Sequence, residues 1–479
     1  MKVQNLQPLF VLFFIVFIFL PFSPWAQEPA ADLQTQGSSE AALSLDEAVD
    51  AAYDYSGQLT VKNLELREKE YALDEAKARR LPTVELQASA TLMSNPQEGI
   101  IIRKGELGYQ PSFQSEAPVP FPDQDYILME DYEHTYFKVE TTVDQPIFTW
   151  GKLKRGVELA RGDVRSAAVR RNITEGEVKK QVRQAYFGIL FTRQALAKVR
   201  EALDILSRMT KDRENEYREG VINLQTLLEA EKNRAGAETR LAEIEQAATK
   251  AEQGFFLLTG IRPEGLEFST PLSEGIELPA DSETLSERTV AASPEVRKLS
   301  VAAEQAELYR ELERKTGQLR PDFFLRLGMD ITGQRVPVVG ANWTDTWDVN
   351  FLVTLGTKLT VWDSGQSAAK RKQAAVKAYL AREGLRQTID STKLAIDAAA
   401  DSVVLAYRQV QEGEAGLLLA KEQFKNARVS YENDLLTRGE LLGAEAAMVQ
   451  AEVELLSAEL SYQHAKAELD YLTGGKALR

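Results

Sequence analysis

Two hydrophobic periods divide the chain. Leu227, Ala230, Arg234, Ala237, Leu241, Ile244, Ala248, Ala251, Phe255 and Leu258 are spaced alternately by three and four residues. That is a heptad seam, the mark of helices in coiled-coil contact. The same seam returns as Leu441, Ala444, Met448, Ala451, Leu455, Ala458, Tyr462, Ala465, Leu469 and Leu472. Only Arg234 breaks it, and in one copy only. The other period is two. Val84, Leu86, Ala88, Ala90 and Leu92 alternate with Thr83, Glu85, Gln87, Ser89 and Thr91, and similar alternation covers 136–148, 322–332 and 347–361. Four strands of about ten residues are expected, each with one apolar face. Before each pair of strands stands a helical segment. Ser44 and Glu47 have capping-box spacing and start a helix expected to run to Arg80; a second is expected from Pro294 to Leu319.

The elements repeat in a fixed order. With Gly151 set on Gly365, an offset of about 214 residues, the alignment runs without a gap, which marks an internal duplication. Tyr217 falls on Tyr431, and Leu258-Thr259-Gly260 on Leu472-Thr473-Gly474. The expected organisation is a first structural repeat over 27–264, a connector over 265–284 and a second repeat over 285–479. Long helices occupy 151–260 and 365–474. A loop over 94–135, rich in Gly and Pro, separates the first two strands, and a shorter one over 333–346 separates the last two.

The N-terminus adds a compartment. Lys2 precedes an apolar run from Leu9 to Phe22, about fourteen residues long and so short of a bilayer span of roughly 20. Residues 1–26 read as a secretory signal peptide. The chain has 479 residues and a formal charge of −15, against the basic surface that nucleic-acid binders present. There is no cysteine and there are two histidines, His134 and His464, so no thiolate chemistry exists and a histidine metal site has little to draw on. His464 reads as a surface residue. No phosphate loop, nucleophile–base pair or ligand cluster is present. The sequence therefore offers no catalytic residue, no cofactor site and no metal site, and the reading is not an enzyme.

Alternating strands fit a soluble sandwich as well as a membrane barrel. The length of the helices and the tryptophans at strand ends, Trp150, Trp343, Trp347 and Trp362, favour the membrane, because interfacial aromatics belong at the rims of a barrel. Four strands cannot close a barrel alone, and open edges are not tolerated in lipid, so several chains must share one. In that setting Leu325, Leu327, Val349, Phe351 and Val353 are expected to face lipid, and Arg326 and Asn350 the lumen. The loop over 94–135 is expected on the extracellular side. A coiled-coil envelope tether or adhesin without transport is the alternative; it has no need of these strands.

Taken together, Leu43-Ser44-Leu45-Asp46-Glu47-Ala48, the two Pro-led strands, Trp150-Gly151, Trp362-Asp363-Ser364-Gly365, the segments Tyr217–Gly220 and Tyr431–Asp434 and the Leu-Thr-Gly closures resemble the TolC-type outer-membrane efflux proteins over nearly all of the mature chain. The resemblance implies a mixed α and β membrane protein. It would be a homotrimer with a shared twelve-stranded transmembrane β-barrel, continued by a periplasmic α-helical barrel of coiled-coil hairpins. It implies a passive exit duct across the outer membrane of a Gram-negative bacterium, in tripartite efflux or type I secretion. The partners would be a periplasmic adaptor (membrane fusion) protein, an inner-membrane RND or ABC pump and outer-membrane lipid. By the same resemblance Glu440 and Glu229 line the periplasmic entrance and set selectivity, Tyr431 and Arg438 hold it closed, and Tyr217, Gly220, Val221, Asp434 and Leu435 form adaptor-docking tips. Two departures stand out. Gly443 pairs with Glu229 in the second copy, and Asp434 takes the place of a tip glycine, which puts that turn in question.

Overall fold

The structure, a computed structural model, describes residues 42–111, 118–129, 133–278, 282–316, 320–335 and 343–475. The expected leader, residues 1–26, lies outside the described residues.

The chain begins with two short helices, α1 (Leu45–Tyr55) and α2 (Gly57–Ala78). The single helix expected here is broken at Ser56. That residue closes α1 through its own N–H, and its hydroxyl accepts from Leu59 N at the start of α2. A serine side chain that bonds backbone ahead of it competes with a continuous helix, which is why the break falls there. The Ser44–Glu47 capping box at the start of α1 is present in both directions.

β1 (Thr83–Leu92) follows. The segment expected as one long loop contains four short strands, β2 (Ile100–Ile102), β3 (Tyr109–Gln110), β4 (Val119–Pro120) and β5 (Tyr126–Met129), paired β2 with β5 and β3 with β4. Runs such as Ile100-Ile101-Ile102 and Tyr126-Ile127-Leu128 are β-branched or aromatic enough to pair across the intervening turns. The chain then makes β6 (Thr135–Phe148), α3 (Lys152–Arg218) and α4 (Leu224–Thr259). After a connector come α5 (Ser282–Thr289), α6 (Pro294–Thr316), β7 (Asp322–Gly333), β8 (Trp347–Lys358), α7 (Gln366–Glu432) and α8 (Arg438–Leu472).

β1, β6, β7 and β8 form one antiparallel sheet in that order. It has two open edges, at β1 and β8. The helices pack beside one another, α3 against α4, α8, α2 and α6, and α7 against α8, α6 and α5. α3 and α7 are each 67 residues long, about 100 Å at 1.5 Å per residue. The single heptad seam expected for α8 understates its burial. Tyr462 and Leu469 face α7, while Leu442, Val449, Gln463 and Ala467 are also buried, on the side where α3 lies. His464 is correspondingly half-buried and not a surface residue, and its Nε2 has no hydrogen-bond partner.

Two clusters anchor the helices near the connector. In the first, Tyr186 is fully buried among Phe187, Phe255 and Phe268. Its hydroxyl donates to Leu43 O at 2.8 Å and accepts from Thr270 N at 3.0 Å. In the second, Tyr462 donates to Glu277 O at 2.7 Å, and Gln463, 0 % exposed, donates to Leu272 O and Glu274 O. The same side chains that fill the core thus hold the connector's backbone groups, which burial would otherwise leave unpaired.

Candidate functional site

Register sorts the sheet into two faces. Val84 stands beside Val143, Leu327 and Val353 across the four strands, and Ala88 beside Val139, Ile331 and Val349. This face is apolar and open: Leu86, Phe351 and Val353 are each more than two-thirds exposed, at 69 %, 77 % and 73 %. On the opposite face Thr83 stands beside Asp144, Arg326 and Thr354, and Gln87 beside Glu140, Asp330 and Asn350. Arg326 grips Asp144 with two hydrogen bonds of 2.6 and 2.9 Å, and Asn350 donates to Asp330 at 3.1 Å. Leu325, Leu327, Val349, Phe351 and Val353 share one face; Arg326 and Asn350 share the other. An exposed apolar band of this kind has no place in water, and a charged ladder behind it has none in lipid. No helix among the described residues is long and apolar enough to cross a membrane.

The aromatics at the strand ends differ from one another. Trp150 donates its indole N–H to Pro321 O at 2.9 Å, meets Phe148 edge-on and lies under the Arg320 guanidinium. Trp347 stacks on Phe137, donates to Arg335 O at 3.0 Å and covers Gly333, where an added Cβ would lie 2.2 Å from the ring. Trp362 is 82 % exposed. The Trp343 side chain lies outside the described residues.

Each strand-to-helix corner is built from two left-handed residues. Trp150 (φ 53°) and Gly151 (φ 81°) turn β6 into α3, and Ser364 (φ 52°) and Gly365 (φ 84°) turn the chain into α7. Asp363 braces the second corner by accepting from Gly365 N and Ser367 N.

At the far ends of the long helices the two turns match atom for atom. Gly220 N donates to Tyr217 O and Val221 N to Glu216 O; Asp434 N donates to Tyr431 O and Leu435 N to Ser430 O. Asp434 adopts φ 57° where Gly220 has 76°. Aspartate is among the few residues that tolerate this region, so the loss of the glycine leaves the turn intact. Asn223 caps α4 and Thr437 caps α8. Val221 and Leu435 project unpartnered, 69 % and 78 % exposed, and Tyr217 is also exposed.

The gate candidates are placed as follows. Glu440 closes a capping box, its carboxylate accepting from Thr437 N and Oγ1 at 2.9 and 2.7 Å. Those hydrogen bonds hold it below the usual carboxylate range, so it is anionic at neutral pH. Glu229 is exposed and accepts from Gln225 at 3.1 Å. The Tyr431 hydroxyl has no hydrogen-bond partner among the described residues. Arg438 is 3.4 Å from Asp212. That contact ties the start of α8 to the end of α3, one hairpin to the other. Beside it Gly439 is buried against Arg213, whose guanidinium would lie 2.7 Å from an added Cβ. Asp212 was not among the residues singled out from the sequence. A signal was present: under the internal offset Asp212 falls on Asn426 and Arg438 on Leu224, so both partners depart from the repeat.

Residues 49–261 match the family model of outer membrane efflux proteins. This stretch belongs to that family. The fold extends the likeness to almost the whole chain. The protein is similar to the outer membrane protein VceC of Vibrio cholerae (TM-score 0.67, 16 % identity, 90 % of this chain and 96 % of that one). It is equally similar to the CmeC outer membrane channel of Campylobacter jejuni (0.67, 14 %, 95 % of both). The open-state MtrE outer membrane channel of Neisseria gonorrhoeae matches at 0.68, 18 %, 91 % and 90 %. No curated protein matches the chain. The family matched over 49–261 is one of outer-membrane transport proteins and not of enzymes.

Proposed function

We propose that this protein is the outer-membrane exit duct of a tripartite efflux or type I secretion system, passive in itself and opened from the periplasmic side. The observation that carries the reading is the sheet: four strands, one face apolar and exposed, the other a charged ladder, and two unpaired edges. Lipid tolerates no open strand edge. Three copies joined β1 to β8 close a twelve-stranded barrel, with three Arg326–Asp144 pairs lining its lumen. The repeat of helix, strand pair and helix pair within the chain supports an origin by duplication. The long helices then form the periplasmic wall, the extracellular end carries β2 to β5, and a leader over 1–26 directs export.

Val221 and Leu435 are apolar, exposed and carried on firm turns, which suits them to docking a periplasmic adaptor that couples the duct to an inner-membrane RND or ABC pump. The Arg438–Asp212 contact supports a role in holding the entrance closed, and Glu440 and Glu229 supply negative charge there, the usual device of a cation-preferring pore.

Cysteine scanning tests the barrel. Cysteines at Arg326 and Asn350 should label with a polar maleimide in membranes, while those at Phe351 and Val353 should be shielded by lipid. Labelling of the second pair only, or a monomer by light scattering in detergent, would refute the shared barrel.

A further inference from the structure

One cavity lies away from both the sheet and the tips. It occupies about 660 Å³ between the middle of α3, the end of α8 and the start of α6. That volume lies within the range of small-molecule sites. Its walls are unusually basic for a chain of net charge −15. Lys179, Lys180, Arg183, Arg297 and Lys466 line it, against two acids, Glu175 and Asp470.

Most of the local charge is not cancelled within the cavity. Lys180 lies 3.1 Å from Glu468 and Arg183 2.9 Å from Asp470, while Glu175 is taken by Arg171 at 2.7 Å. Lys466 spends its ammonium on a neutral acceptor, Gly275 O at 2.7 Å. Lys179 and Arg297 make no ion pair or side-chain hydrogen bond among the described residues. Lys179, Arg297 and Lys466 are therefore left without a direct ion pair, although Asp470 lies near enough to act on Lys466 and Lys179. Burial first, and the neighbouring Arg183 second, hold Lys466 below its ordinary value against the opposing pull of Asp470, Glu277 and Glu274. The start of α6, a helix of 23 residues, borders the same space with Pro294 and Arg297, adding the positive end of its dipole.

Three of the basic residues have no basic counterpart in the other half, while Lys179 falls on Lys393 under the internal offset. Lys180, Arg183 and Lys466 fall on Leu394, Asp397 and Glu252.

We propose that this cavity binds a small oxyanion, a phosphate- or carboxylate-bearing molecule, with Lys179, Arg297 and Lys466 as its charge partners. The site does not depend on the gating reading. Such an anion can be free in the periplasm or belong to a fragment of cell-wall glycopeptide, whose carboxylates offer the same chemistry.

Isothermal titration calorimetry on the full-length protein in detergent tests this, with inorganic phosphate, citrate and a disaccharide muropeptide as separate probes. At least one should bind saturably, and more weakly as salt is raised from about 0.02 to 0.3 M, since these contacts are electrostatic. The double variant K179Q/R297Q should lose about tenfold in affinity. Both side chains are exposed and unpaired, so its thermal unfolding should match the parent. Preference for muropeptide over citrate would point to the wall as the source; equal binding would point to free anions. Absence of saturable heat with all three probes, or an unchanged affinity in the double variant, would overturn the proposal.

Discussion

Arg438→Ser is the sharpest perturbation of the proposed gate. Arg438 lies 3.4 Å from Asp212, with its side chain 57 % exposed and that of Asp212 27 % exposed. A pair this open to solvent contributes about 0.2–1 kcal/mol. One Asp212 oxygen, however, is inaccessible to water and makes no hydrogen bond, so losing the arginine also strands a carboxylate, and the upper half of that range applies. In a trimer the contact occurs three times at well-separated places, and contributions from such places add. The closed entrance would lose about 1.8–3 kcal/mol, a shift of roughly 20- to 150-fold in its equilibrium. Single-channel recording in planar bilayers should show a larger or more often open conductance for Arg438→Ser. Asp212→Asn should act in the same direction but more weakly, since an uncharged amide is left behind. Intact trimers with parental conductance in both variants would refute the argument and place the closing contacts elsewhere.

Three further outcomes are expected. Asp434→Gly removes the strain of a side chain at φ 57° and should raise thermal stability by up to about 1 kcal/mol, read as a shift in Tm without a change in oligomeric state. Tyr186→Phe leaves Leu43 O and Thr270 N without their shared hydroxyl and should cost about 2 kcal/mol, seen in denaturant unfolding and as faster proteolysis ahead of α1. His464 is held below its ordinary value by burial, against a weaker opposing hydrogen bond at the Gln184 backbone. Its folded form therefore binds a proton less readily than the unfolded one, so stability is intact above about pH 6.5 and falls as pH drops below it. His464→Gln should lessen that acid-side loss in melting curves near pH 7.5 and 5.5; equal losses in both proteins would show that other groups cause it.

The sequence revealed the parts of the fold that repeat a period. Alternation from Thr83 and from Phe323 is long enough to define a strand, and heptads such as Leu227 to Leu258 are long enough to define a helix, because burial acts at every turn. It failed where one local bond decides. Nothing in the period marks Ser56 as a break, since the deciding event is a single hydroxyl bonding Leu59 N. The second buried side of α8 was hidden for another reason. Leu442 and Val449 share it with Gln463 and Ala467, and the last two carry little hydrophobic signal although Gln463 is wholly buried, so no continuous apolar stripe marks that side. At the tips, chain position was legible from the duplicated turns. The Arg438–Asp212 contact was not, because it joins residues more than two hundred positions apart in helices whose mutual rotation no local pattern states.

The left-handed pairs at the sheet-to-helix corners bear on how force travels. Trp150 and Ser364 have few other backbone conformations open to them in that setting, and Trp150 is further pinned by Pro321, Phe148 and Arg320. Each corner is a bracket and not a pivot. With helices about 100 Å long, a rotation of only 1° at such a bracket would sweep the tip through roughly 2 Å. In the proposed duct an opening motion at the tips would therefore be taken up by bending and unwinding spread along the helices. In that duct the barrel, on its side of the bracket, would stay still while the entrance moves.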